Sequence, residues 1–172
     1  ATIVYSMGVC MMFGFSALYH RVDWRSRVLT IMRRLDHSAI FVMIAGSFTP
    51  ICLLVLPGDT GIRLLFIIWI IAGIGILQTV LFTETPRLIR AGIYLVAGYM
   101  VIPYLSVMFS VMSMTNFTLT TAGGTIYTVG AIGYGFKFPD ISPKYFGYHE
   151  FFHILVSIAA VLHFIVIYSI VG

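Results

Sequence analysis

Six separate stretches of this chain stay apolar for about the length that a lipid bilayer demands, and this constrains the fold more than anything else in the sequence. They are Thr2–Tyr19, Ser38–Leu56, Ile62–Phe82, Ile89–Val111, Phe117–Phe136 and Phe151–Val171. A hydrocarbon core about 30 Å thick is crossed by about 20 residues of helix. Of the 172 residues, 60% are hydrophobic and 9% are charged, against roughly a quarter charged in ordinary soluble domains. A water-soluble fold of this size has too little interior to hide so much apolar surface. None of the stretches alternates as a barrel strand does, and helices satisfy every backbone group within the segment. The expectation is an all-α, polytopic membrane helical bundle with six transmembrane helices, forming a single domain over residues 1–172. The fifth stretch is the weakest, because Thr118, Thr120, Thr121, Gly123, Gly124 and Thr125 suit close helix packing more than lipid contact. Pro50 and Pro103 fall within spans and predict kinks.

Orientation follows from the basic residues. Arg21, Arg25, Arg27, Arg33 and Arg34 lie in the first connection, Arg87 and Arg90 in the third, and Lys137 and Lys144 in the fifth. The second and fourth connections, residues 57–61 and 112–116, hold none; Arg63 alone falls on that side. Nine of the ten basic residues thus occupy alternate connections, which the positive-inside rule makes cytoplasmic. The chain is expected to cross its membrane repeatedly, with its C-terminus outside and lipids as its partners. The charge of +4 comes from these loops and forms no basic face, so nucleic acid is not an expected partner. Cys10 and Cys52 both fall inside apolar stretches and predict no disulfide. The chain opens at Ala1 almost inside an apolar run, as though an earlier segment were missing, and lacks the basic n-region of a signal peptide.

Within this apolar frame a few polar residues stand out. His20 ends the first span, Asp36 opens the second, and His149 and His153 begin the sixth. All four fall at the same predicted depth, on the cytoplasmic side. Residues four apart on a helix are offset by about 40° and about 6 Å, so His149 and His153 face one way and can share an ion. With a third imidazole from another helix they make a three-histidine site with one open position, as in catalytic zinc sites. Ser16 lies one turn from His20 on the same face. Polar groups in spans are costly and usually functional; a His-x-x-x-His spacing alone is a weak signal that fits interfacial histidines bonded to water or backbone better, and it is the set with Asp36 and Ser16 at matching depth that favours a metal. His149-Glu150-Phe151-Phe152-His153 also matches the H-E-x-x-H pattern of zinc proteases. That reading is disfavoured, since Glu150 points away from the midline of the two histidines and suits a helix N-terminus. His37 is expected to be loop-facing or backbone-bonded, His163 to bond a neighbouring helix, and Tyr94, Tyr99, Tyr104 and Tyr134 to pack. Asp140 and Lys144 are expected to be solvated.

Three motifs, taken in order, carry a resemblance across essentially the whole chain. They are Ser16-x-x-x-His20; Leu35-Asp36-His37-Ser38 running to Gly46-Ser47-Phe48-Thr49-Pro50; and Gly147-Tyr148-His149-Glu150-Phe151-Phe152-His153 running to Leu162-His163-Phe164. Together they resemble the bacterial hemolysin III proteins, within the progestin and adipoQ receptor family that includes the adiponectin receptors. The resemblance implies seven transmembrane helices with a cytoplasmic N-terminus, so one N-terminal helix would precede this chain. It implies a zinc ion held by His20, His149 and His153, with Asp36 reaching it through water and Ser16 at the serine of the first motif. The receptor motif has Gln at the place of Glu150, which weakens a protease-like role for Glu150, and Tyr at the place of His37, which marks this chain as resembling the bacterial branch.

Three functions are compatible with these residues. In the first, a zinc-dependent hydrolase cleaves a lipid amide or ester: the metal activates water, Asp36 orients that water or takes its proton, and Ser16 bonds the water or the developing oxyanion. The second is a pore-forming, cytolytic protein, in keeping with the family name, although the spans offer few polar faces. The third is a sensor or receptor of membrane state with structural zinc.

Overall fold

The computed structural model describes residues 1–82, 84–142 and 146–172. Lys144, expected to be solvated, lies outside them. The helices are α1 (Thr2–Arg21), α2 (Ser26–Leu54), α3 (Gly58–Leu81), α4 (Arg87–Tyr99), α5 (Leu105–Val111), α6 (Met114–Phe136) and α7 (Tyr148–Val171), with a single 3₁₀ turn, Ile102–Tyr104, between α4 and α5. The fold is all-α, as composition predicts; the described residues form no strand beyond an isolated bridge between Ser142 and Phe146. They group into two compact units, Ala1–Thr85 and Pro86–Gly172.

Five segments are long and apolar enough to cross a membrane: Thr2–Arg21, Ser26–Leu54, Gly58–Leu81, Arg87–Val111 and Tyr148–Val171. The expected fifth span, α6, is a helix of 23 residues but is not among them, because threonines and glycines dilute its apolar content. Its threonines turn inward on the helix itself: the Thr120, Thr121, Thr125 and Thr128 hydroxyls donate to carbonyls four residues back at 2.8–2.9 Å, which meets their hydrogen-bonding need without water.

In the first unit, α1 and α2 run antiparallel and close. A Cβ on Gly8 would lie 3.3 Å from the Met43 Cα, and one on Gly46 would lie 3.3 Å from the Val4 carbonyl oxygen. Glycine at both positions lets the two backbones approach, the small-residue packing of membrane helices. α3 joins through two tighter notches. A Cβ at Gly61 would collide with the Cys52 carbonyl, and one at Gly75 with the ring of Phe41, which is wholly buried. The opposite face of α3 presents Phe66, Ile70, Ile74, Leu77 and Leu81, all exposed, at the helical spacing of a lipid-facing stripe.

α2 begins twelve residues before the expected span, at Ser26 instead of Ser38. Arg27, Arg33 and Arg34 end an apolar window but are good helix formers, so the helix continues where hydropathy stops. At its other end α2 runs through Pro50 to Leu54. The Ser47 and Thr49 hydroxyls bond the carbonyls of Met43 and Ala45, and the Trp69 indole reaches Thr49 Oγ1 at 3.1 Å. Cys10 and Cys52 are free thiols, the first exposed and the second buried.

In the second unit Pro103 acts more strongly than Pro50. The expected single helix is interrupted: α4 ends at Tyr99, and the chain passes through the 3₁₀ turn before α5 resumes. Proline has no amide proton to continue the ladder, and Tyr104 N–H turns to Val101 O at 2.8 Å instead. α6 ends with Lys137 in the left-handed region (φ 57°), and Phe138 N–H returns to Gly133 O at 2.9 Å. A Cβ at Gly133 would meet the Phe138 carbonyl oxygen at 2.5 Å, so glycine there permits the turn toward α7. α7 packs along α6 through Gly130, which faces Leu155 and Phe152, and through Gly123, which faces the His163 ring.

Candidate metal centre

The N-terminus of α7 sets the geometry of two of the expected ligands. Gly147 precedes the helix in extended backbone, and its N–H donates to Glu150 Oε2 at 2.9 Å. A carboxylate at the third helical position reaching back to the entry amide is half of a capping box and also opposes the positive end of the helix dipole. Glu150 is therefore engaged by the backbone at the helix entry. His149 and His153, four apart, stack along one face of the helix. Their Nε2 atoms lie 3.0 Å apart, with ring centroids at 4.5 Å and planes at 90°. At that separation the two nitrogens cannot both carry protons directed at each other, so at least one presents a lone pair. Zinc–nitrogen bonds of about 2.0–2.1 Å place two ligands of a tetrahedral ion about 3.3 Å apart. The pair observed is within a few tenths of an ångström of that, and the donor set fits a divalent metal. Tyr134 and Phe152 enclose the pair, with Tyr134 6.0 Å from the His149 ring and Phe152 5.7 Å from that of His153.

The first unit holds the other expected residues. The close α1–α2 register fixed by Gly8 and Gly46 places Ser16 opposite Asp36, and the Ser16 hydroxyl hydrogen-bonds the Asp36 carboxylate. His20 is one turn beyond Ser16 and is exposed. The chain after it is folded back by the Trp24 indole, which donates to the Leu18 carbonyl at 2.8 Å. His37 is part of α2, and its Nδ1 bonds the Arg33 carbonyl oxygen at 2.6 Å. A carbonyl only accepts, so Nδ1 carries the proton. Backbone bonding is one of the two roles expected of His37; a loop position is excluded. His20 thus belongs to α1, and His149 and His153 to α7.

The remaining expectations divide. His163 bonds across to α6, its Nε2 lying 3.2 Å from the Thr120 carbonyl oxygen, as expected of a helix-to-helix contact. Tyr94 is buried, the Tyr99 hydroxyl donates to Thr128 Oγ1 at 3.0 Å, and Asp140 is exposed. Tyr134, expected only to pack, hydrogen-bonds Arg90. Arg87, expected only to report orientation, donates to the Tyr148 hydroxyl at 2.6 Å. Sequence reasoning missed this Arg–Tyr cluster. The signal available was Arg87-x-x-Arg90 at a helix start, two cations where helix electrostatics disfavour them.

Comparison with known proteins agrees with the residue pattern. Residues 1–164 match the family described as Haemolysin-III related. The chain is 36% identical over 134 residues to Hemolysin-3 of Bacillus cereus, covering 77% of this chain and 60% of that protein. It is 33% identical to a Hemolysin-3 homolog of Bacillus subtilis, over 78% of this chain and 62% of the relative. The human monocyte to macrophage differentiation factor is 28% identical over 173 residues, 96% of this chain and 68% of that protein. The match thus spans about three-fifths of the length of the two bacterial relatives.

Proposed function

From the premise that this chain belongs to the haemolysin-III-related family, within the progestin and adipoQ receptor superfamily, we propose that it is a multi-pass membrane metalloprotein that hydrolyses an amide or ester bond of a membrane lipid. The observation that carries the proposal is the pair of facing Nε2 atoms of His149 and His153, 3.0 Å apart, with Glu150 occupied at the helix cap. In this reading residues 1–172 act as one domain, and His20, His149 and His153 are the ligands of one zinc ion. The donor set of three neutral imidazoles suits zinc. A zinc ion held there supplies Lewis acidity, acidifying a water molecule and polarising a carbonyl.

The chain's own residues do the rest. Asp36 is the general base and accepts a proton at its carboxylate. Ser16 is a positioning residue, since its hydroxyl donates to Asp36 and holds one carboxylate oxygen in a fixed direction. The apolar walls of the spans exclude bulk water and admit an acyl chain laterally from the lipid. By the distribution of basic residues the site lies toward the cytoplasmic face. The deciding experiment incubates the purified chain with amide- and ester-linked lipids and measures fatty acid release alongside zinc content. Stoichiometric zinc without release from any lipid would refute the hydrolase.

The name borne by the two bacterial relatives, Hemolysin-3, favours one second reading, a cytolytic protein that permeabilises membranes. Conductance in clean bilayers that persists in a His20→Ala, His149→Ala, His153→Ala variant would establish that reading in place of the hydrolase.

A further inference from the structure

The first turn of α4 carries Arg87 and Arg90, three residues apart and so on one face. Two features hold them there. Leu88 and Ala91 pack against Gly135 of α6, where an added Cβ would lie 3.2 Å from the Leu88 side chain and 3.5 Å from Ala91 Cβ. Each arginine is also tied to a tyrosine: Arg87 donates to the Tyr148 hydroxyl at 2.6 Å and stands 5.6 Å over that ring, and Arg90 bonds Tyr134. The two tyrosine rings are 6.3 Å apart. The result is one half-buried patch of two guanidiniums and two phenols.

For stability alone this arrangement is poor. Like charges three apart on a helix repel, and cations at a helix N-terminus oppose the macrodipole. The unit Pro86–Gly172 holds Arg87, Arg90, Lys137 and Lys144 against Asp140 and Glu150, a balance of 4 − 2 = +2, and Glu150 is engaged at the Gly147 amide. An anion on the patch would relieve both penalties. Tyr148 accepts from Arg87 and so keeps its own hydroxyl proton to donate. A guanidinium offers five N–H donors in a planar fork that matches a phosphate, and Arg87 uses one of them on Tyr148. Basic residues and tyrosine at the end of a membrane span also lie at headgroup depth.

We propose that Arg87 and Arg90, oriented by Tyr148 and Tyr134, form a docking site for the anionic phosphate of a membrane-lipid headgroup. The inference goes beyond the hydrolase reading and does not depend on it, since the site uses no metal. The test is native mass spectrometry of the full chain released from nanodiscs containing equal amounts of phosphatidic acid and phosphatidylcholine. Each basic residue near a headgroup contributes about 1 kcal/mol, so the two arginines should enrich phosphatidic acid about thirtyfold on the wild type. The Arg87→Ala, Arg90→Ala variant should lose that enrichment. The Arg87→Lys, Arg90→Lys variant keeps the charge and loses the fork, and should retain part of it. If the alanine pair does not fold by circular dichroism, the wild-type preference and the lysine pair decide. No enrichment on the wild type, or full enrichment on a folded alanine pair, overturns the proposal. Saturable binding of inorganic phosphate without preference for phosphatidic acid would assign the patch to a soluble phosphate and overturn its lipid assignment. Because no readout involves turnover, failure here leaves the hydrolase reading standing, and the converse holds too.

Discussion

Glu150 and the histidines on either side of it make a controlled comparison within a single turn of helix. Its carboxylate caps the Gly147 amide, so Glu150→Gln keeps an acceptor and loses only the charge, a change of about 0.3–1 kcal/mol in stability. Zinc content and lipid hydrolysis should stay within about threefold of wild type, because a general base would cost about 10²–10⁴. His153→Ala should instead empty the metal site while helix content is retained, as measured by elemental analysis and circular dichroism on the same sample. Ser16→Ala removes a hydrogen bond to a charged group, worth about 1.5–3 kcal/mol. The expected outcome is a fall in turnover of about tenfold or more at unchanged zinc content, and a fall in zinc instead would show that Ser16 serves the ligands. The sequence made His149, His153 and Asp36 visible because imidazole and carboxylate are conspicuous in an apolar chain. It did not reveal that Ser16 bonds Asp36, which depends on the α1–α2 register that Gly8 and Gly46 permit.

At the scale of the elements, the glycines separate by what faces them. A methyl at Gly61 would collide with the Cys52 carbonyl, while one at Gly73 meets nothing within 4 Å. Gly61→Ala should lower thermal stability by about 1–3 kcal/mol, the ordinary cost of overpacking. Gly73→Ala should be neutral or stabilising by about 0.5–1 kcal/mol through helix propensity. A thermal unfolding series in detergent distinguishes the two. Apolar length gave six spans, of which five are long and apolar enough to cross a membrane; α6, expected to be the weakest, falls short because hydropathy measures transfer to lipid. It misplaced the start of α2 by twelve residues, because a helix need not end where its lipid-soluble part does. It also treated Pro50 and Pro103 alike, although one is carried within a continuous helix and the other divides its span. Local composition does not distinguish the two prolines.

For the whole molecule, the proposed site draws on both ends of the chain, and this gives a sharp expectation. If His20 shares one zinc ion with His149 and His153, His20→Ala should abolish stoichiometric zinc as completely as His149→Ala, and the double variant should be no worse than either. Zinc halved by one change and removed only by both would mean separate sites. Orientation is tested independently: single cysteines placed at Lys137 and at Arg63, in a background lacking Cys10 and Cys52, should label from opposite sides of sealed vesicles.

The divided fourth span has one further consequence. Where the 3₁₀ turn at Ile102–Tyr104 interrupts the ladder, the amides around it belong to two short rods, and short rods open from their ends. Deuterium should enter this span from its middle as well as from its margins, whereas the neighbouring helices should take up label from their tips alone.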